Sequence, residues 1–355
     1  MTQRSTPHPD SERTTSPEWS DDILGPGYQS TTIPLGPDPD NETDVVTTVV
    51  RYRPPTETTR FHERPALLLV SGMTDYFFHT DFAEYFHAQG YAVYAVDLRK
   101  TGRSFRPGQT WHYTTELSQY FVDLNAALDV VTAAHATMTP VAHSTGGLIA
   151  ALWLDDLRRT DPGRHRLIDC LVLNSPWLDL MYPRALVRIS TPVINILGRT
   201  APRLALPNDN LGIYGSSIHI SAHGEWDFNT TFKPITGHRK YFGWLRAIIA
   251  GQRRVHGDSV DVGVDVLTLC SARSWHSRSY SAATDTADAV LDVDQIRTWA
   301  PHLNGDPARV TIRPIDGARH DVFLSLKHAR FAAYETMNSW LGRHRRREET
   351  PGEQR

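Results

Sequence analysis

Short, continuously apolar runs alternate with helical patterns along most of this chain, and that alternation limits its possible folds more than any other feature. Ala66–Val70 (ALLLV) and Ile168–Leu173 (IDCLVL) are typical of strands buried on both faces. The segments between such runs carry apolar residues at the spacing of one helix face. Apolar strands separated by helices indicate a parallel sheet that is covered on both sides. The sequence therefore predicts an α/β fold.

The predicted elements follow one another as strand, helix, strand. Predicted strands cover residues 45–52, 66–70, 91–96, 139–142, 168–173, 264–270 and 309–315. Predicted helices cover residues 80–89, 114–135, 146–158, 294–300 and 329–341.

One stretch interrupts the alternation. Residues 178–257 are rich in Pro, His, Trp and Tyr, with helical patterns at 184–197 and 240–249. This aromatic content argues against a disordered loop, so we predict a cap subdomain over the strand ends. The predicted units are a disordered tail (1–22), a core (23–177 and 258–342), the cap (178–257) and a flexible charged tail (343–355).

Composition excludes several classes of protein. Of the 355 residues 40% are hydrophobic, and the net charge of −3 provides no basic field for nucleic acid or an anionic membrane. Cys170 and Cys270 each end an apolar run, which argues against a disulfide framework and favours a reducing compartment. No apolar stretch reaches the roughly 20 residues of a membrane span, and the N-terminus lacks the apolar region of a secretory signal. We expect a soluble, cytoplasmic protein with no nucleic-acid partner and no transmembrane segment; a homodimer is left open.

The most informative motif is VAHSTGG, residues 141–147. A predicted strand runs into Ser144 and a predicted helix leaves it. A serine at so sharp a turn needs small neighbours two residues away on either side, because its backbone is strained and crowded. Gly146 meets the G-x-S-x-G pattern, and Ala142 replaces its first glycine. The motif predicts a nucleophilic serine, the alternative being a serine N-cap at an ordinary helix start.

The segments around this motif resemble a known family. Tyr91–Ser104 (YAVYAVDLRKTGRS), Ser71–Tyr76 (SGMTDY) and AHSTGG are similar to the monoacylglycerol lipase, lysophospholipase and serine aminopeptidase branch of the α/β-hydrolase superfamily. The resemblance covers roughly residues 60–180 and 260–342 and is much weaker over the cap. It implies an α/β-hydrolase fold, a mostly parallel central sheet flanked by helices with a helical cap insertion. It also implies a triad in the chain order Ser, acid, His.

His320 is the predicted general base. It lies in IDGARHD, residues 315–321, between the last predicted strand and the last predicted helix. This position puts it at the carboxyl ends of the strands, where Ser144 also lies. Its imidazole would take the Ser144 proton and return it to the leaving group. The segment also matches the family's G-x-x-H pattern.

The acid is implied by the resemblance, which places it in the loop after the strand at 264–270. Ala287–Asp292 (ADAVLD) is similar to a family segment whose first aspartate is catalytic, and this implies Asp288. Asp292 and Asp294 are more natural as charges at a helix N-terminus. Some relatives carry the acid after the preceding strand. The alternatives that stay open on the sequence are Asp285, Asp292 and Asp179.

Two N–H donors are needed to stabilise the oxyanion of an acyl-transfer intermediate. One is predicted to be the backbone N–H of Thr145, directly after the serine. The resemblance implies the other in the loop after 66–70, at Met73. Relatives usually carry His-Gly where this chain has Ser71-Gly72, so the backbone donor remains and any role of that histidine is lost.

No cofactor or metal is predicted. The chain has no G-x-G-x-x-G fingerprint for a nucleotide. His219 and His223 are spaced as a possible metal pair on a helix, but they lack a third ligand in register.

These features predict a serine hydrolase that cleaves a small-molecule carboxylic ester through an acyl-enzyme. The resemblance implies an apolar acyl group, as in a monoacylglycerol or a lysophospholipid. An acyltransferase or thioesterase would use the same triad, as would an aryl-ester or lactone hydrolase, which the aromatic cap suits. A non-catalytic binding protein with this fold is a further alternative, because fold does not fix function.

Overall fold

A computed structural model describes residues 17–349 apart from 56, 58–59, 183 and 208–210. Within this part of the chain, one sheet has the strand order β1-β2-β3-β5-β4-β6-β7-β8-β9. In chain order the strands are β1 (Ser20–Asp21), β2 (Tyr28–Gly36), β3 (Val45–Tyr52), β4 (Ala66–Val70), β5 (Ala92–Asp97), β6 (Met138–His143), β7 (Cys170–Asn174), β8 (Asp265–Ser271) and β9 (Val310–Ile315). Strands β4 to β9 are parallel to one another. The pairs β1–β2, β2–β3 and β3–β5 are antiparallel. The predicted mostly parallel sheet is confirmed.

Helices cover both faces of this sheet. In the described residues they are α1 (Thr80–Ala88), α2 (Tyr120–Thr132), α3 (Thr145–Thr160), α4 (Pro162–His165), α5 (Arg184–Thr200), α6 (Gly212–Ile218), α7 (Phe242–His256), α8 (Val293–Trp299) and α9 (Lys327–Glu349). Successive residues of β4 enter different apolar clusters, because side chains alternate across a strand. Leu68 packs with residues of α2, α3 and α7, whereas Leu67 packs with residues of α1 and α9.

Two predicted boundaries are wrong. Residues 20–22 were expected in the disordered tail, yet Ser20 and Asp21 pair with β2, and the carboxylate of Asp22 accepts two bonds from Arg103 at 2.7 and 2.8 Å. This buried ion pair holds the segment on the core. The first part of the expected tail, residues 1–16, lies outside the described residues.

At the other end, α9 continues to Glu349, beyond the expected start of a flexible tail at residue 343. Arg345 donates to the Tyr91 hydroxyl at 3.2 Å and lies over its ring, so a tertiary contact extends the helix. Residues 350–355 lie outside the described part of the chain.

Strand β2 was not predicted. Its sequence, YQSTTIPLG, is polar and contains a proline, so it lacks the apolar run that marked the buried strands. It forms a strand because β3 supplies a full antiparallel partner.

The insertion between β7 and β8 carries α5, α6 and α7. Helix α7 packs on α3: a Cβ on Gly251 would lie 2.9 Å from Leu152. Helix α5 instead exposes an apolar face, formed by Leu186, Ile189, Val193 and Ile196. No helix in the described residues is both long and apolar enough to cross a membrane.

Candidate active site

Ser144 occupies a strained turn between β6 and α3. Its backbone has φ 52° and ψ −119°, a conformation that a residue with a side chain rarely adopts. The chain around it is fixed, because the Ser144 N–H donates to the Asn174 carbonyl and the Ser144 carbonyl accepts from the Trp177 N–H, each at 3.0 Å. The strain is therefore held by β7 and the segment that follows it.

Small residues make this turn possible. A Cβ on Gly146 would lie 2.5 Å from the Ser71 carbonyl oxygen, and a Cβ on Gly72 would lie 2.9 Å from the Ser144 Cβ. Both distances are shorter than the contacts that Cβ atoms make in proteins. Ala142, which departs from the glycine pattern, is fully buried in β6 and paired with Val70. The turn thus needs glycine at 146 and accepts a methyl group at 142.

Three predicted side chains meet at the carboxyl ends of the strands. His320 Nε2 lies 3.0 Å from Ser144 Oγ, and His320 Nδ1 lies 3.0 Å from Asp288 Oδ2. His320 is 3% exposed and Asp288 is fully buried, so the bond between them is shielded from water, whereas Ser144 Oγ lies at the cavity. This arrangement can move a proton from the serine to the imidazole and stabilise the imidazolium that results.

Asp288 is held as an ion. Burial by itself raises the pKa of this carboxyl, but the neighbouring His320 and two backbone N–H groups outweigh it, so the pKa lies below the usual range. The two donors are Val290 and Leu291, each at 2.8 Å from Oδ1. Oδ1 is thereby occupied and Oδ2 is left to His320, which fixes the orientation of the ring.

The other candidate acids have different partners. Asp285 accepts from Arg319 and from the Tyr280 hydroxyl. Asp292 caps α8, and Asp294 pairs with Arg297. Asp179 accepts from the Trp299 indole at 3.0 Å.

Met73 and Thr145 flank Ser144 in one cavity of about 350 Å³. Thr145 is the first residue of α3, so its N–H is not used within the helix. Met73 follows β4 in the loop that approaches the serine turn. The rest of the lining is mainly apolar and aromatic, and includes Leu180, Leu211, Tyr214, Trp244 and Leu291.

A buried polar network that the sequence analysis missed lies beside the triad. Asp321 accepts from Asn174 at 2.6 Å, and His79 Nε2 lies 2.9 Å from it. His143 Nδ1 lies 3.1 Å from the Asn174 carbonyl. Burial lowers the pKa of His143 to about 4 despite the nearby Asp321 carboxylate. Burial raises the pKa of Asp321, but His143, His79 and Asn174 outweigh it, so this pKa lies well below its usual range. The only sequence signal was adjacency: His143 precedes the serine and Asp321 follows the triad histidine.

Two groups of residues that include histidine could be considered as metal ligands. Ligand atoms of Asp75, His143 and Asp321 lie within 4.8 Å of one another. However, Asp75 pairs with Lys233, and Asp321 is already held by Asn174 and His79. His219 lies beyond the end of α6, with Nδ1 2.7 Å from Ser221 Oγ and Nε2 3.2 Å from a backbone carbonyl. His223 stacks on Tyr280 instead of facing His219. His219 and His223 therefore do not converge on one point.

Comparison with known proteins agrees with this architecture. Residues 62–221, somewhat less than half of the chain, match the family model described as serine aminopeptidase S33. No curated protein matches the chain significantly.

Solved structures with a similar fold include two monoglyceride lipases. The monoacylglycerol lipase of Paleococcus ferrophilus is 18% identical, with a TM-score of 0.58 over 79% of this chain and 96% of that one. A soluble variant of the Saccharomyces cerevisiae monoglyceride lipase, bound to a substrate analogue, is 15% identical, with a TM-score of 0.58 over 95% and 98%. Est1E of Butyrivibrio proteoclasticus with ferulic acid bound is 16% identical, with a TM-score of 0.50 over 86% and 97%. At these identities the likeness concerns the fold.

Proposed function

We propose that this chain is a serine hydrolase of carboxylic esters and a member of the α/β-hydrolase superfamily, as its fold and the match of residues 62–221 to a hydrolase family model support. Ser144 is the nucleophile, His320 the general base and Asp288 the acid that orients it. The observation that carries this proposal is the pair of 3.0 Å contacts from Ser144 Oγ through the His320 ring to Asp288.

Acylation begins when His320 Nε2 takes the proton of Ser144 Oγ as that oxygen attacks the ester carbonyl carbon. The carbonyl π-electrons move to oxygen, and the Asp288 carboxylate stabilises the imidazolium. The tetrahedral intermediate then collapses: the bond to the alkoxy oxygen breaks, and His320 gives its proton to the leaving alcohol. An acyl group remains on Ser144.

The oxyanion is stabilised by the backbone N–H groups of Met73 and Thr145. Each donor of this kind contributes about 3 kcal/mol to the transition state. Both residues line the cavity with Ser144, which supports the assignment.

Deacylation repeats the sequence with water. His320 takes a proton from a water molecule, the hydroxide adds to the acyl carbon, and the proton returns to Ser144 Oγ as the carboxylic acid leaves. The 3% exposure of His320 means that this water enters through the substrate cavity.

The cavity favours an ester with an apolar acyl chain. About 350 Å³ of mainly apolar space adjoins Ser144, enough for a small ligand. Met181 and Tyr182 belong to its lining and are also partly exposed, and the exposed apolar face of α5 follows directly. Residues 178–257, as a cap over the strand ends, provide most of this apolar surface.

Aromatic side chains in the same cavity favour a second candidate, an aryl ester. Trp177, Tyr214 and Trp244 all line it, and flat rings pack well against an aromatic acid. Such an ester would be cleaved by the same three residues.

The test is intact-mass spectrometry after treatment with a fluorophosphonate, together with hydrolysis of p-nitrophenyl esters of increasing chain length and of one aryl ester. We expect one adduct in the wild-type protein, no adduct in Ser144→Ala and slow labelling in His320→Ala. Ser277→Ala, an exposed serine, is the matched control and should label at the wild-type rate.

The chain-length profile separates the two substrate classes. A rate that rises to medium or long acyl chains supports the apolar ester, and a preference for the aryl ester supports the second candidate. Wild-type protein that neither labels nor hydrolyses any ester would contradict the proposed function.

A further inference from the structure

The loop that carries Met73 is held by the cap at three consecutive residues. We call Gly72–Tyr76 the oxyanion loop and Asn229–His238 the clamp segment. The clamp segment lies between α6 and α7, within the predicted cap. Thr74, Asp75 and Tyr76 each contact it through a different group. The contacts begin at the residue after the proposed oxyanion donor.

The first contact fixes a strained residue. Thr74 has φ 63°, which is unfavourable for a β-branched side chain. The His238 N–H donates to Thr74 Oγ1 at 3.0 Å, and the Thr74 N–H donates to His112 Nδ1 at 3.4 Å. Such a conformation persists only where the surroundings enforce it. Here the cap provides one of the two restraints.

The second contact is a buried ion pair. Lys233 Nζ lies 3.0 Å from Asp75 Oδ1, and the two side chains are 7% and 2% exposed. The same carboxylate oxygen accepts the Tyr76 N–H at 2.9 Å. The rings of Phe78 and Tyr214 lie within 6 Å of the ammonium, and both Lys233 and Asp75 line the cavity next to Ser144. Removing one charge from such a pair leaves the other buried and unpaired, which is strongly unfavourable.

The third contact joins backbone to side chain. The Asn229 N–H donates to the Tyr76 hydroxyl at 2.8 Å, and the Phe232 ring packs edge-on against the Tyr76 ring at 5.2 Å. The clamp segment therefore restrains the oxyanion loop from Thr74 to Tyr76.

We propose that Lys233 is a positioning residue of the oxyanion hole. By fixing Asp75, two residues after Met73, it holds the Met73 N–H where the oxyanion forms. The cap then completes the catalytic site as well as covering it. This inference rests on the proposed function. Its physical basis is that a displacement of about 1 Å in a catalytic group can cost on the order of 10²-fold in rate.

The experiment compares Lys233→Met, Lys233→Arg and the matched control Lys327→Met, which changes an exposed lysine of α9. For each variant we would measure kcat and KM with p-nitrophenyl butyrate and the affinity for butylboronic acid, which mimics the tetrahedral intermediate. For Lys233→Met we expect kcat to fall about 10- to 100-fold, part of what the loss of a donor costs. KM should stay within about twofold because the change acts on the transition state.

The other measurements distinguish a positioning role of Lys233 from a purely structural role. Boronic acid affinity should fall in parallel with kcat, Lys233→Arg should recover most of both, and Lys327→Met should match the wild type. If Lys233→Met does not fold, Thr74→Val removes the acceptor for His238 without a buried charge and should lower kcat in the same way.

Two results would overturn the inference. One is a raised KM at unchanged kcat, which would make Lys233 a substrate contact. The other is a folded Lys233→Met with wild-type kcat and boronic acid affinity. A wild-type protein that labels at Ser144 and hydrolyses esters keeps the proposed function in either case. If the wild type does neither, the proposed function fails and this inference fails with it.

Discussion

Ser144 shows how a single residue depends on its neighbours' lack of side chains. Its positive φ brings the backbone of α3 against the loop after β4, so that Gly146 lies against the carbonyl groups of Ser71 and Val70. The obstructing atoms are backbone and cannot rotate away. Steric exclusion at this turn therefore determines both the shape of the elbow and the position of the loop that leads to Met73.

The first prediction concerns Gly146→Ala. The new Cβ would lie 2.5 Å from one carbonyl oxygen and 2.8 Å from another, so β4 and α3 must move apart. We expect the free energy of unfolding to fall by about 1–3 kcal/mol, as measured by urea denaturation. Activity should fall further than stability, since the displaced loop leads to the oxyanion donor. Gly163→Ala, where the nearest atom is a side-chain oxygen at 3.2 Å, is the control. Wild-type stability in Gly146→Ala would refute the steric argument.

The second prediction concerns Asp288→Asn. An amide keeps the shape but cannot stabilise the imidazolium, and it favours the wrong tautomer of His320, so kcat should fall roughly 10³- to 10⁴-fold. The exposed Asp294→Asn is the matched control and should keep wild-type kcat. Steady-state kinetics with a p-nitrophenyl ester measures both. A decrease of less than tenfold would assign the acid to another carboxylate.

At the level of elements, the short strand β1 depends on tertiary contacts of the residues that flank it. It pairs with β2 through two residues, which is too little to hold a strand in place. Asp22 follows it, and its carboxylate binds Arg103, which also binds Asp97 at the end of β5. Trp19 precedes it and lies 3.9 Å from the Arg51 guanidinium. The edge of the sheet is thus attached to the loop after β5.

The third prediction compares two deletions. Removing residues 1–22 takes away Asp22 and leaves the buried Arg103 with one acidic partner fewer, so we expect a loss of about 3 kcal/mol in the free energy of unfolding. Removing residues 1–16 leaves β1 and Asp22 in place, so this protein should be the more stable of the two. Urea denaturation of both proteins measures the difference in their free energies of unfolding. Equal stabilities would mean that β1 and its ion pair contribute nothing.

At the scale of the whole molecule, the buried network beside the triad joins distant parts of the fold. His143 ends β6, Asn174 ends β7, His79 precedes α1 and Asp321 belongs to the loop before α9. Because the network is buried, its protonation is linked to folding. Burial lowers the pKa of His143 to about 4, whereas an unfolded histidine titrates near 6.5.

The fourth prediction is a loss of stability in acid that depends on His143. Between pH 6.5 and 4 the unfolded chain binds a proton that the folded one does not, so stability is fully present above this window and decreases as the pH falls through it. Protonation of His143 in the unfolded chain lowers the free energy of unfolding by roughly 3 kcal/mol across this window. We expect His143→Gln to lose less stability between about pH 7.5 and about pH 5 than the wild type, as measured by urea denaturation. The exposed His328→Gln is the control, and equal pH dependence in all three proteins would exclude His143 as the source.

Much of the proposed site could be predicted because its signals are local. The strained turn imposes small residues around Ser144, and His320 follows a recognisable strand. The network residues and Lys233 carry no such pattern. Their roles depend on packing between segments far apart in the chain, as in the bond between Asn174 and Asp321, which are 147 residues apart.

The order and type of the buried elements follow from the residue pattern alone. Strands such as Ala66–Val70 are apolar on both faces, and that property belongs to the residues themselves wherever the chain folds. The polar β2, the attachment of residues 20–22 and the extension of α9 to Glu349 were decided by tertiary contacts. The tertiary structure also decided which aspartate faces His320, because burial and two backbone donors distinguish Asp288 from carboxylates that look alike in sequence. Local chemistry specifies the buried elements, whereas only the folded chain specifies the polar ones and the partner of each charge.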